Sequence, residues 1–340
     1  MFTRKLLMSI ALATGLGSTL SPAFATDIDP PPGDWTPGDY PSTGGAPGGT
    51  DYIQIVGLAG QNGNTREYKV RVPQGYKKNV PTPVVFCIHG LGETTANFCV
   101  DGTNTSGDGP NGTTGGFISM SEADNFILIM PQGYQHSWNT GNCCGAARRE
   151  KLDEVGFMRA VLAEVQQHLN VDTKRVYASG FSNGGFMVDE LACEASDIIA
   201  AVVEGSGGIR TGISKCKPQN DVAVLGFHGQ GGKDYFVPYQ GDLNSMNQFA
   251  KVNGCSQHTT PASFPPSGGD TTCVTYTGCD AGTEVTFCSI AGGGHCWYGS
   301  PSCGTGDGSQ GASIALGRGT NSNFTVESDD VWPFLSKFHR

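Results

Sequence analysis

The chain has 340 residues, of which 37% are hydrophobic and 15% charged, with a formal net charge of -10. That is enough apolar content for a core, and no basic block is present, which argues against nucleic acid as a partner. The acidic balance also disfavours a polyanionic substrate.

Residues 1–25 have the form of a secretory signal: Arg4 and Lys5, an apolar and small-residue run from Leu6 to Leu20, and the A-x-A pattern Ala23-Phe24-Ala25. The run is short and broken by Gly15, Gly17 and Ser18. Cleavage near Ala25 is therefore expected rather than a membrane anchor, and no later segment is apolar enough to span a bilayer. Residues 26–50 ("DPPPGDWTPGDYPSTGGAPGG" at their centre) read as a Pro/Gly-rich linker or arm with too few apolar residues to fold. Residues 51–340 read as one domain without an internal repeat.

Within that domain, Tyr68 to Val72 alternates like a strand, while Pro83 to Ile88 and Phe126 to Met130 are continuous apolar runs of the buried parallel type. "DEVGFMRAVLAEVQQHL" places Val155, Met158, Val161, Leu162, Val165 and Leu169 on one helical face. Arg175 to Ala178 is the next strand, followed by a helix from about Asn183 to Cys193. Ile198 to Val203, Val222 to Phe227 and Glu284 to Ile290 are further strand candidates. "VESDDVWPFLSKF" closes the chain as a helix that Pro333 confines to its first turn or kinks. Strands alternating with helices predict a mostly parallel central sheet with helices on both faces.

Gly180-Phe181-Ser182-Asn183-Gly184 fits G-x-S-x-G between a strand and a helix, the context in which the motif presents a nucleophile at a helix N-terminus. The alternative is an ordinary turn. A serine hydroxyl needs a base, and in such a fold the order is Ser, acid, His. His295 lies in the glycine-rich loop "AGGGHCWYG" after a strand and is the expected base. His228, at the end of an apolar run, is expected to be packed. Asp234 follows the "VAVLGFHG" strand and is the expected acid, a surface turn aspartate being the alternative. Backbone amides of Leu91, in "IHGLG", and Asn183 are the expected oxyanion donors, with His89 supporting the first loop.

Taken together, "IHGLGETTANF", "SWNTGNCCG", "DEVGFMRAVL", "GFSNGG", "HGQGGKDYFVPY" and "GGGHCWYG" resemble the secreted feruloyl esterase and polyhydroxybutyrate depolymerase-like group. This group belongs to the α/β-hydrolases and overlaps carbohydrate esterase family 1, and the resemblance runs over residues 65–300. It implies an α/β-hydrolase fold with Ser182, Asp234 and His295 as nucleophile, acid and base, and no cofactor. It also implies that Trp138-Asn139-x-Gly141 lies near the active site. Trp138 and Trp297 are taken as substrate contacts, with loop packing the alternative for Trp138. The sequence departs from the group in the "QGGK" insertion before Asp234 and in Gly294-His295-Cys296-Trp297-Tyr298-Gly299, where the group usually has Gly-His-Thr-Trp-Pro-Gly.

Twelve cysteines fit an oxidising compartment and are read as disulfides. Neither Cys143-Cys144 nor His295-Cys296 has zinc-ligand spacing, so no metal is expected. Cys296 is expected to pair with Cys303 and Cys193 with Cys216; Cys255, Cys273, Cys279 and Cys288 pair among themselves, and Cys87 is free.

The function expected is that of a secreted, monomeric serine esterase acting through an acyl-enzyme on feruloyl or acetyl esters of plant cell-wall polysaccharide. A polyhydroxyalkanoate depolymerase or oligomer hydrolase is the alternative. It is disfavoured because the chain ends soon after His295, without room for a polymer-binding module. A non-catalytic wall-binding protein and a serine peptidase are the rivals from other classes.

Overall fold

The computed structural model describes residues 50–55, 57–100, 115–231, 234–265, 271–298 and 327–340. The expected signal segment (1–25), the arm up to residue 49, Gly299 and Cys303 lie outside the described residues.

Ten strands among the described residues form one sheet: β1 (Thr50–Ile55), β2 (Arg66–Arg71), β3 (Thr82–Ile88), β4 (Ile127–Gln132), β5 (Val171–Phe181), β6 (Ala201–Gly205), β7 (Ala223–Gln230), β8 (Thr259–Pro261), β9 (Thr271–Tyr276) and β10 (Val285–Ala291). Their spatial order is β1-β2-β4-β3-β5-β6-β7-β10-β9-β8. The six strands from β4 to β10 in that order are parallel. The two edges turn antiparallel, with β1 and β2 at one side and β9 and β8 at the other.

The apolar runs explain this sheet. β3 is buried at every position. Val84, Phe86 and Ile88 join the core on one face, and Val85 and Cys87 join the core on the other. A strand can be apolar throughout only when both faces are covered.

The first face carries α4 (Glu154–His168), α5 (Asn183–Glu194) and α6 (Tyr239–Val252); the second carries α1 (Thr95–Phe98), α2 (Phe117–Asp124) and α7 (Glu327–Leu335). The short α3 (Gly145–Glu150) lies in the connection before α4. α4 begins where Asp153 caps it, its side chain accepting from Gly156 N at 2.8 Å, a contact of a kind worth ~1 kcal/mol. Of the stripe read from the sequence, Met158, Val161, Leu162 and Val165 are buried in α4, Leu169 is buried at its C-cap and Val155 is only partly buried, while Phe157 is added. Pro333 sits inside α7 rather than confined to its first turn.

Five disulfides join described residues: Cys87–Cys99, Cys143–Cys144, Cys193–Cys216, Cys255–Cys279 and Cys273–Cys288. The expectation of a free Cys87 is thus corrected. Its side chain faces the second core, where Cys99 follows α1 beneath the sheet. No described helix is long and apolar enough to cross a membrane.

Candidate active site

In a parallel sheet, the loops after the strands gather at one edge. Leu91 follows β3, Ser182 follows β5, Asp234 follows β7 and His295 follows β10. The chain leaves β3 outward to β4, then crosses back to β5 on the other side. The crevice of such a sheet opens at this reversal, and Ser182 and Leu91 flank it.

Ser182 occupies the corner between β5 and α5 with φ 57° and ψ -119°, a region non-glycine residues avoid. Neighbouring backbone enforces this corner. A Cβ on Gly180 would lie 2.7 Å from the carbonyl oxygens of Gly184 and Ile88, and one on Gly184 would collide with the Ile88 carbonyl. The Ser182 amide is held by Gly205 O at 2.8 Å. Serine at an N-cap ordinarily bonds the first-turn amides. Here the side chain makes no cap hydrogen bond, and its Oγ lies 2.8 Å from His295 Nε2.

His295 Nδ1 lies 2.8 Å from Asp234 Oδ2. A carboxylate only accepts, so Nδ1 carries the proton and Nε2 accepts from the serine hydroxyl. Asp234 receives four contacts. Oδ1 accepts from the amides of Phe236 (3.0 Å) and Val237 (2.7 Å), and Oδ2 faces both His295 and His228 Nε2, the latter at 3.3 Å. Burial raises the Asp234 pKa, but the hydrogen bonds from His228 and His295 outweigh it and hold the carboxyl well below the usual range.

The expected packed role of His228 understates its position. Its Nδ1 bonds Asp242 Oδ2 at 2.7 Å, and its Nε2 bonds Val237 O at 3.0 Å. Burial lowers its pKa, yet the two carboxylates more than offset this and raise it to about 10. His228 is therefore a buried imidazolium between Asp234 and Asp242. Asp242, in the first turn of α6, was missed in the sequence. Its only signal is an acid at a helix start facing a histidine at a strand end. Near it, burial and the charge of Asp242 push the Asp189 carboxyl on α5 well above the ordinary range.

The loop after β3 is equally fixed. The Gly90 amide donates to Glu93 Oε2 at 2.7 Å and the Gly92 amide to His136 O at 2.8 Å. Between them, the Leu91 amide has no acceptor among the described residues, and neither does the Asn183 amide at the start of α5. His89 is fully buried. Its Nδ1 donates to Gly90 O at 2.8 Å, and its Nε2 accepts from Gly133 N at 3.0 Å. Burial lowers its pKa to about 3, so it is a neutral prop.

Neither tryptophan meets solvent, and the expected substrate contacts at Trp138 and Trp297 are corrected. Both are 0% exposed. Trp138 Nε1 donates to His89 O at 2.8 Å, and its backbone exchanges hydrogen bonds of 2.8 and 3.2 Å with the Asn183 side chain. It ties the loop after β3 to the start of α5. Trp297 packs edge-on against Phe98, with ring centroids 5.4 Å apart, beneath the His295 loop. Among the described residues, no group of His, Cys, Asp or Glu side chains is arranged to hold a metal ion.

No protein-family model matches the chain. Among curated proteins, it is 30% identical over 241 residues to feruloyl esterase D of Neurospora crassa, covering 69% of this chain and 75% of that protein. The chain belongs to the feruloyl esterase family, whose members are carboxylic ester hydrolases. It is 29% identical over 252 residues to feruloyl esterase B of Piromyces equi, covering 68% of this chain but 42% of that longer protein. Among solved structures, the acetyl xylan esterase from Aspergillus awamori superposes with a TM-score of 0.52 at 17% identity, over 72% of this chain and 94% of that one. At that identity the likeness concerns the fold, which is that of the α/β-hydrolases.

Proposed function

We propose that the chain hydrolyses feruloyl esters of plant cell-wall polysaccharide, with Ser182 as nucleophile, His295 as base and Asp234 as its orienting acid. The observation that carries this is the contact of the uncapped Ser182 Oγ with His295 Nε2 at 2.8 Å, backed by Asp234 at 2.8 Å. Ser182 Oγ attacks the ester carbon while its proton passes to His295 Nε2. The negative oxygen is received by the amides of Leu91 and Asn183, which no other described group occupies. The tetrahedral carbon then expels the alkoxide, which takes the proton from His295. Water, deprotonated by the same nitrogen, releases the acid from Ser182 in the second half-reaction.

The feruloyl esterases of N. crassa and P. equi supply the acyl group of this reading. Export as a monomer with its signal segment removed near Ala25 belongs to the same proposal, and the five disulfides support an oxidising destination.

The test is hydrolysis of methyl ferulate, acetylated xylan and hydroxybutyrate oligomers by the wild type and Ser182→Ala. Methyl ferulate should be cleaved, and the variant should lose activity by about 10⁶-fold. Cleavage of hydroxybutyrate oligomers alone, or an unimpaired Ser182→Ala enzyme, overturns the reading.

A further inference from the structure

Four large apolar side chains among the described residues are exposed: Val80, Leu91, Tyr235 and Phe236. The last two are adjacent in sequence and are the most exposed, at 74% and 56%. An exposed aromatic ring beside a site offers apolar surface that a ligand can cover.

This pair is built into the site. It directly follows Asp234, whose Oδ1 pins the Phe236 amide at 3.0 Å and the Val237 amide at 2.7 Å. Val237 is buried, and its carbonyl accepts from His228. The turn is therefore clamped on both sides, and the rings project from a rigid base. Among the described residues, two aromatic rings flank His295. Buried Phe181 lies at 4.8 Å between centroids, and exposed Phe236 lies at 5.2 Å with its plane tilted by 45°.

The direction of the reaction says which part of the substrate meets these rings. His295 Nε2 must hand its proton to the departing alkoxide, so the alcohol leaves on the histidine side of Ser182. The carbonyl oxygen points the other way, toward the amides of Leu91 and Asn183. A ring resting on His295 thus borders the alcohol rather than the oxyanion.

We propose that Tyr235 and Phe236 form a platform for the sugar ring of the leaving alcohol, whose C–H face stacks on the exposed aromatic surface. The inference rests on the serine esterase reading above and adds a subsite for the saccharide. Sugars present C–H groups on one face and hydroxyls at the rim, which suits a flat aromatic floor open to water.

The test uses two esters with the same acyl group: methyl ferulate and a feruloylated arabino-oligosaccharide. For Tyr235→Ala, Phe236→Ala and the double variant, the measured quantity is the kcat/KM ratio of saccharide ester to methyl ester. In the double variant this ratio should fall about tenfold, mainly through KM on the saccharide ester. Phe236→Tyr should keep it. Equal losses on both esters would mean that the rings support His295 or bind the acyl group, and would overturn the platform. An unchanged ratio would do the same. Tyr235→Ala keeps the test decisive if Phe236→Ala disturbs His295. If the wild type cleaves neither ester, the esterase reading itself fails and the platform falls with it. If it cleaves both and the ratio does not move, only the platform is lost.

Discussion

His295 and His228 approach the same carboxylate oxygen, Asp234 Oδ2, at 2.8 Å and 3.3 Å. The remaining nitrogen separates them. On His295 it meets the hydroxyl of Ser182, which has a proton to give. On His228 it meets a second carboxyl oxygen, Asp242 Oδ2, at 2.7 Å. The first ring can therefore be neutral and accept a proton, whereas the second is a fixed cation with both N–H groups committed. Proximity to a carboxylate does not make a histidine a base; an open nitrogen does. The fixed cation in turn holds the Asp234 carboxyl low and aimed, so the proposed base leans on the other histidine.

Asp234→Asn strikes both histidines and is the largest test of the contrast. An amide can hold His295 in the wrong tautomer, and kcat on methyl ferulate should drop by about 10⁴. A loss below tenfold would remove Asp234 from the proposed role. His228→Gln separates the two rings. It leaves Ser182 and His295 in place but removes the buried positive charge beside Asp234. Here kcat should fall on the order of 10- to 100-fold with KM little changed. A fall in KM-linked binding alone would mean that His228 merely supports the fold.

The smallest effect is on stability against pH. The His228 pKa is raised from 6.5 to about 10 in the folded chain, so folding takes up a proton between those values. Its contribution is complete below pH ~6.5 and is lost as pH rises through 10, at up to about 1.4 kcal/mol per pH unit. Besides Asp234 and Asp242, Arg210, Asp189 and Tyr239 belong to this cluster. Melting temperatures from pH 7 to 10.5 should therefore fall for the wild type and fall less for His228→Gln. Parallel curves would place the proton elsewhere.

The parts of this picture legible in the sequence are those with a single dominant signal. β3, β4 and β7 are continuous apolar runs because both faces are covered, and α4 shows one clean stripe. Ser182, Asp234 and His295 could be named because each follows a strand in the expected order, and the structure brings the three within hydrogen-bond distance. α6 was not legible, since its buried side includes Asp242 and Ser245 beside Met246 and Phe249. The edge strand β8 is exposed throughout and carries no alternation. Trp138 and Trp297 were misassigned for a physical reason: an indole near an active site packs a loop or meets a substrate with the same residue letter. Only burial separates the two, and burial instead left Tyr235 and Phe236 outside.

The φ of 57° at Ser182 has a consequence for selection in the laboratory. A side chain in that region costs on the order of 1–3 kcal/mol, which glycine escapes. Ser182→Gly should be inert toward esters and melt above its parent. A library ranked by heat resistance alone would then enrich dead molecules at this corner, so durability and turnover must be screened together.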